Sequence, residues 1–157
     1  MAAAGTSTLG VLGGYSLEAT AGTKPTAFTL LTRLNAIGGI NLDVEQIDAS
    51  ALEDMVSRYI QGRADTGGTF PITVNMTPET ITEWQALIAA YTGRSNLELR
   101  MWFDIYFPQL NKSFFIVAQP PAQIPMPEVN QNELATMEMN LIIEEYIGVD
   151  AAIVPTA

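Results

Sequence analysis

The chain has 157 residues, 48% of them apolar, and a formal charge of −10; that is enough for one domain with a real core and too apolar for a disordered polymer. It contains no cysteine and no histidine, which removes disulfides, thiol nucleophiles, thiolate and imidazole metal sites, and the commonest general base. The acidic balance argues against a tight grip on phosphate backbones, and no run approaches the ~18–20 apolar residues of a membrane-spanning helix.

The start, Met1-Ala2-Ala3-Ala4-Gly5-Thr6, lacks a basic region, and Gly10, Gly13 and Gly14 interrupt the next stretch. This argues against a cleaved signal peptide. Residues 1–24 read as an N-terminal arm, or an early strand with weak patterning. Residues 28–34 are strand-like, and Gly38-Gly39 supply a turn. Ile40, Leu42 and Val44 then alternate with Asn41, Asp43 and Glu45, the period-2 pattern of a half-buried strand. A polar excursion over residues 48–68 comes next, far longer than a hairpin turn needs; such connections bind something, cover something or are disordered. Inside it, residues 51–61 fit two readings. One is a short helix with Ser50 as N-cap, Glu53 at the capping-box position, and Leu52, Met55, Val56 and Tyr59 on one face. The other is an irregular loop with a few anchors.

Phe70, Ile72, Val74 and Met76 alternate with polar neighbours and form the next strand. Residues 78–92 carry the best helical pattern: Thr77 as N-cap, Pro78 at the first position, Glu79 and Glu83 near the positive end of the dipole, and Gly93 as the stop. Ile81, Trp84, Leu87, Ile88 and Tyr91 share one stripe, which is expected to pack on the sheet. Further strands are read at residues 97–105, 113–119 and 133–145. Pro120-Pro121 and Pro125-Met126-Pro127 stiffen a connection that cannot join a ladder. Ala135, Met137, Met139, Leu141 and Ile143 point one way along the last strand, Gly148 ends it, and residues 149–157 are a short tail. Consecutive strands joined by turns imply antiparallel pairing. The expected fold is mainly β: an antiparallel β-sandwich or squashed barrel over residues 25–148, with one flanking helix and one long inter-strand loop.

Three pieces in order carry a family resemblance. They are Glu45-Gln46-Ile47-Asp48, then Arg58-Tyr59-Ile60-Gln61-Gly62-Arg63-Ala64-Asp65, then Gly68-Thr69-Phe70-Pro71-Ile72-Thr73-Val74. A helix at residues 78–91 and a closing strand at 132–144 complete the set. The chain thereby resembles, over residues 28–148, the tail tube (major tail) proteins of long-tailed bacteriophages. The resemblance implies a structural virion protein of the tail, made in the host bacterial cytoplasm. It implies six-subunit rings stacked into a hollow tube, with sheets of neighbours joined into one inner barrel. DNA passes through the lumen without specific binding, and tape measure, tail tip and terminator proteins are the other partners. It implies no cofactor, no metal, no enzymatic activity and no membrane insertion. The long loop and the termini reach neighbouring subunits, which makes Ile47, Asp48, Arg58, Tyr59, Ile60, Arg63 and Asp65 candidate inter-subunit contacts. Asp43, Glu45, Glu98, Asp104, Glu138 and Glu144 are candidates for an acidic lumen, with an ordinary solvated face as the alternative for each.

Other chemistry finds less support in the residues. Asp43 with Glu45, and Glu144 with Glu145, are paired carboxylates without an oxyanion donor or a dense oxygen cage beside them. Ser50 and Ser57 have no histidine partner. Trp84, Tyr91, Trp102 and Tyr106 are expected in a core or interface rather than a ligand pocket. Two further readings stay open: a tube protein of a contractile tail or secretion-type injection system, and a monomeric β-sandwich ligand-binding module.

Overall fold

The computed structural model describes residues 9–53 and 55–156. The elements in chain order are β1 (Leu12–Leu17), β2 (Thr29–Leu31), β3 (Leu34–Ile37), β4 (Asp43–Asp48), β5 (Tyr59–Asp65), β6 (Thr69–Asn75), α1 (Pro78–Thr92), β7 (Met101–Phe107), β8 (Lys112–Gln119) and β9 (Thr136–Ala151). Seven strands form one sheet in the order β2-β1-β7-β8-β9-β6-β3, and β4 with β5 makes a separate two-stranded ribbon. Every strand pair is antiparallel. The mainly β, antiparallel, single-helix expectation holds, and the sheet is not a closed barrel.

Strand β9 explains the sandwich-like shape. Its first half, up to Ile142, pairs with β6, and its second half, from Ile142 on, pairs with β8. The two ladders share Ile142 alone, so one long strand passes from one half of the fold to the other. Leu34 on β3 reaches Gly13 on β1, bringing the two ends of the sheet close without a ladder between them. Between the halves lies the main core, built from one face of each strand: Phe70, Ile72 and Val74; Met101, Phe103 and Ile105; Met137, Met139 and Leu141. Trp84 and Leu87 of α1 complete it. A side chain of this kind contributes roughly 1.5–3 kcal/mol on burial.

The helix begins where the sequence places it. Thr77 Oγ1 accepts the Thr80 N–H at 3.1 Å, and Thr80 Oγ1 accepts the Thr77 N–H at 2.9 Å. Thr80, not a glutamate, thus closes the capping box, and it also donates to the Asn75 carbonyl at 2.7 Å. Ile81, Ile88 and Tyr91 pack against the core beside Trp84 and Leu87. Glu83 anchors the chain between β2 and β3 by accepting from the Thr32 hydroxyl at 2.8 Å. Pro71 sits inside β6 without breaking a ladder. Its carbonyl accepts from Gly38 N–H at 2.8 Å, just past the end of β3, so its missing N–H faces a position where β3 has already ended.

Several expectations change. Residues 12–17, inside the stretch read as an arm, form β1 in the sheet, so the early-strand alternative describes them; residues 1–8 lie outside the described residues. The strand expected at 28–34 is two strands, broken at Arg33, whose φ is 56°. The one expected at 97–105 begins only at Met101; Leu97 is 79% exposed, and Glu98 lies in a turn closed by its N–H to Asn96 Oδ1 at 3.0 Å. The helical reading of residues 51–61 fails: β5 starts at Tyr59, and nothing in the body covers Leu52, Met55 or Val56, so a short helix there would lack the tertiary packing it needs. β9 runs past Gly148, which sits at a bulge with φ 96°. Of the supposed tail, residues 149–151 belong to β9, Pro155 is buried, and Ala157 lies outside the described residues.

Candidate assembly surfaces

The most exposed part of the molecule is the β4–β5 ribbon. The pairs Asp43–Asp65, Val44–Ala64, Ile47–Ile60 and Asp48–Tyr59 set its register, with a bulge between Val44 and Gln46. Local hydrogen bonds shape its far end. Ala49 N–H donates to the Arg58 carbonyl at 2.8 Å, Arg58 N–H to Ser50 Oγ at 2.7 Å, and Ser50 N–H to Asp48 Oδ1 at 2.9 Å. Those bonds from Ser50 hold the Asp48 carboxyl below its ordinary value. At the base, Asp65 Oδ1 accepts from Gly67 N–H at 2.9 Å, and Gly67 and Gly68, both at positive φ, turn the chain into β6.

Of the alternation read as a half-buried strand, Ile40 packs against the core, but from Leu42 on there is no core beneath it, and every residue of β4 is exposed. Leu52 and Met55 at the tip are fully exposed (109% and 100%), and Leu42, Ile47, Val56, Tyr59 and Ile60 are exposed too. The predicted contact residues Ile47, Asp48, Arg58, Tyr59, Ile60, Arg63 and Asp65 all lie on this ribbon, all exposed. Arg63 stands beside Asp43, Glu45 and Asp65 in a shallow recess.

At the foot of the ribbon opens a groove of about 520 Å³. Val11, Leu34, Ile37, Ile40, Phe107, Phe114 and Tyr146 are among its walls, and no charged residue lines it. One wall is β3, the last strand of the sheet, whose far edge bears no strand among the described residues. The opposite edge strand, β2, is covered. Thr156 N–H donates to the Phe28 carbonyl at 3.0 Å, and Leu30 N–H to the Thr156 carbonyl at 2.9 Å.

The outer face of the sheet divides in two. Over β6 and the first half of β9 it is polar and open, with Thr73 opposite Glu138 and Pro71 opposite Asn140. Glu138 lies here; Glu144 lies just beyond, in the second half of β9, where Gln119 Nε2 of β8 donates to its Oε1 at 2.6 Å. Over β7 and β8 it is covered, which is why those strands read as nearly continuous apolar runs. Phe28, Trp102, Phe115 and Val117 form a second small core there, with Ile153 laid on it. Asp43, Glu45 and Glu98 are exposed, the first two on the ribbon and the third in its turn. Asp104 leaves the candidate lumen surface: it is fully buried, because residues from both ends of the chain close over it.

Glu18 is a buried carboxylate that no pattern in the sequence marks. It accepts from Trp102 Nε1 at 2.9 Å and Arg100 N–H at 2.8 Å, with the Arg100 guanidinium at 3.5 Å. Burial alone pushes its carboxyl up, and these bonds outweigh that and hold it low. Gly13 and Gly14 did carry a readable signal, since glycine inside a strand pattern marks close approach of another segment. Gly13 admits Leu34, and Gly14 admits Pro155.

No protein-family model and no curated protein matches the sequence. Among solved structures, a chain in the six-fold symmetrised cryo-EM structure of the anti-feeding prophage (AFP) baseplate superposes with TM-score 0.49 at 11% identity, covering 96% of each chain. That superposition assigns neither a family nor a role. Among the described residues no group of three or more acidic side chains is placed to hold a metal ion, and no helix is long and apolar enough to cross a membrane.

Proposed function

We propose that this chain is a structural, non-catalytic subunit of a phage tail tube that assembles into stacked six-fold rings around a DNA passage. The observation that carries the reading is the ribbon: an apolar arm with Leu52 and Met55 wholly in water, on a chain most of whose other large apolar side chains are buried or half-buried. Exposed apolar patches of this kind mark surfaces for association. From Asp43 to Asp65 the ribbon has the length that one side of a standard interface takes, about 20–30 residues. The uncharged groove along β3 is its receiving site on the next subunit, where a free sheet edge offers backbone pairing and the groove accepts apolar side chains. Arm and groove are different surfaces, so a one-way contact between them is head-to-tail and closes into a ring or runs on as a filament. The polar outer face of β6 and β9, with Glu138 and Glu144, faces the lumen, where it shares the sign of the phosphates and gives DNA nothing to bind.

Electron microscopy of the purified protein over a concentration series, alone and with a tail-tip complex, tests this. Hollow rings or tubes with six-fold end views support it. A uniform monomer under both conditions overturns it and favours the second reading that the groove allows, a binding module whose ligand occupies that cavity.

A further inference from the structure

Residues 152–156 lie across the outer face of β1, β7 and β8. Ile153 N–H donates to Ser113 Oγ at 3.1 Å, and its side chain packs on the small outer core. Thr156 joins the edge of β2. Pro155 rests on Gly14 so closely that a Cβ there would lie 2.7 Å from Pro155 Cβ.

Asp104 lies under this segment. Its register partners are Gly14 on β1 and Phe115 on β8. It is fully buried, and neither carboxylate oxygen accepts a hydrogen bond. Of the polar groups around it, Ser113 accepts the Ile153 N–H at Oγ, and its own hydroxyl pulls only weakly on the carboxyl. The Lys24 ammonium lies 3.7 Å above the Phe115 ring and 3.1 Å from Asp150, which is exposed on β9. Glu18 is bonded to Trp102 and Arg100, Lys112 is exposed at the start of β8, and Tyr106 lies two residues further along β7.

We propose that residues 152–156 form a releasable clasp, closed while Asp104 is neutral and loosened when Asp104 ionises, which bares the edge of β2. A carboxylate without a partner is costly under an apolar cover. Lifting the segment rehydrates it and sacrifices only a few bonds and the Ile153 contact, a local opening rather than global unfolding. Burial pushes the Asp104 carboxyl up to about 6, against the weaker pulls of Ser113 and Lys24. The closed form is therefore favoured fully below the ordinary aspartate value and loses that advantage as pH rises to about 6. This inference does not depend on the tail-tube reading.

Amide hydrogen exchange of the full chain, corrected for the intrinsic pH dependence of exchange, tests it. The amides to follow are those of Ile153, Thr156 and Leu30, with Met139 as a core reference. Their protection is expected to fall roughly thirtyfold between pH 4 and 6 and to level off above pH 7, as release of one proton requires. In Asp104→Asn protection stays flat over that range. In Gly14→Val, which drives Pro155 off without touching the carboxylate, it is low at every pH. Equal protection of the wild-type amides at pH 4 and 7, or the same decline in Asp104→Asn, overturns the proposal; the wild-type series decides even if a variant fails to fold.

Discussion

Gly13 and Leu34 meet where the two ends of the sheet come together: a Cβ on Gly13 would lie 2.4 Å from Leu34 Cδ1. Glycine is needed here for the space it leaves, not for an unusual φ. Gly13→Ala should destabilise the fold by about 1–3 kcal/mol, the usual cost of overpacking. Shortening the neighbour as well, in Gly13→Ala with Leu34→Ala, should recover part of that loss. Thermal melts of the two variants and the Leu34→Ala single variant would show the coupling as non-additivity.

Two buried carboxylates act on stability with opposite signs. Glu18 is held below its ordinary value, so its contribution is present above the ordinary glutamate range and is lost as pH falls through its lowered pKa. Asp104 is raised to about 6, so its contribution is present below the ordinary aspartate value and is lost as pH rises through 6. The melting temperature should therefore peak in mildly acidic solution. Asp104→Asn should remove the decline on the neutral side, on the order of 2 kcal/mol. Glu18→Ala should lower stability at pH 7 by about 2–4 kcal/mol, because it strands the Trp102 and Arg100 donors. Melting curves from pH 3 to 8 check all three statements.

The helix offers a graded pair. Trp84→Ala empties a fully buried position and should cost about 3–5 kcal/mol. Thr77→Ala removes one half of the capping box and should cost about 1 kcal/mol. Denaturant unfolding of both variants would rank them; equal losses would mean that α1 is not held to the sheet through Trp84.

Replacing Leu52, Met55 and Val56 by serine should change monomer stability by no more than about 0.5 kcal/mol, since these side chains touch no core. The same triple variant should abolish ring or tube formation. Unchanged melting with lost assembly by light scattering and electron microscopy is the expected result. Normal tubes from the variant would remove the arm from the assembly contact.

A sequence pattern is legible when it has one physical cause. The stripe Ile81, Trp84, Leu87, Ile88 and Tyr91 has one, since a helix with those residues must lie against a core, and it does. The alternation in residues 40–45 has more than one. Period 2 fixes that a segment is extended and says nothing of whether a second layer covers it, so the ribbon looked half-buried. Asp104 was misplaced for a related reason: its strand, Met-Trp-Phe-Asp-Ile-Tyr-Phe, is apolar on both faces, and the cover comes from residues far away in the chain. The long excursion was legible as a segment apart because it is one continuous stretch, whereas the β3 groove combines β3, β6, β7, β8 and β9 and leaves no local mark.

Strand β9 is the last strand in sequence and the fifth of seven across the sheet. During synthesis, strands β6 and β8 have no neighbour to pair with on their β9 sides until about residue 151 has left the ribosome. The two halves of the fold must wait as separate pieces, with Val74, Phe70 and Val117 still open to water. Such late, long-range closure makes for slow folding and an aggregation-prone interval. A truncation that stops short of β9 should therefore yield insoluble protein, not a smaller domain.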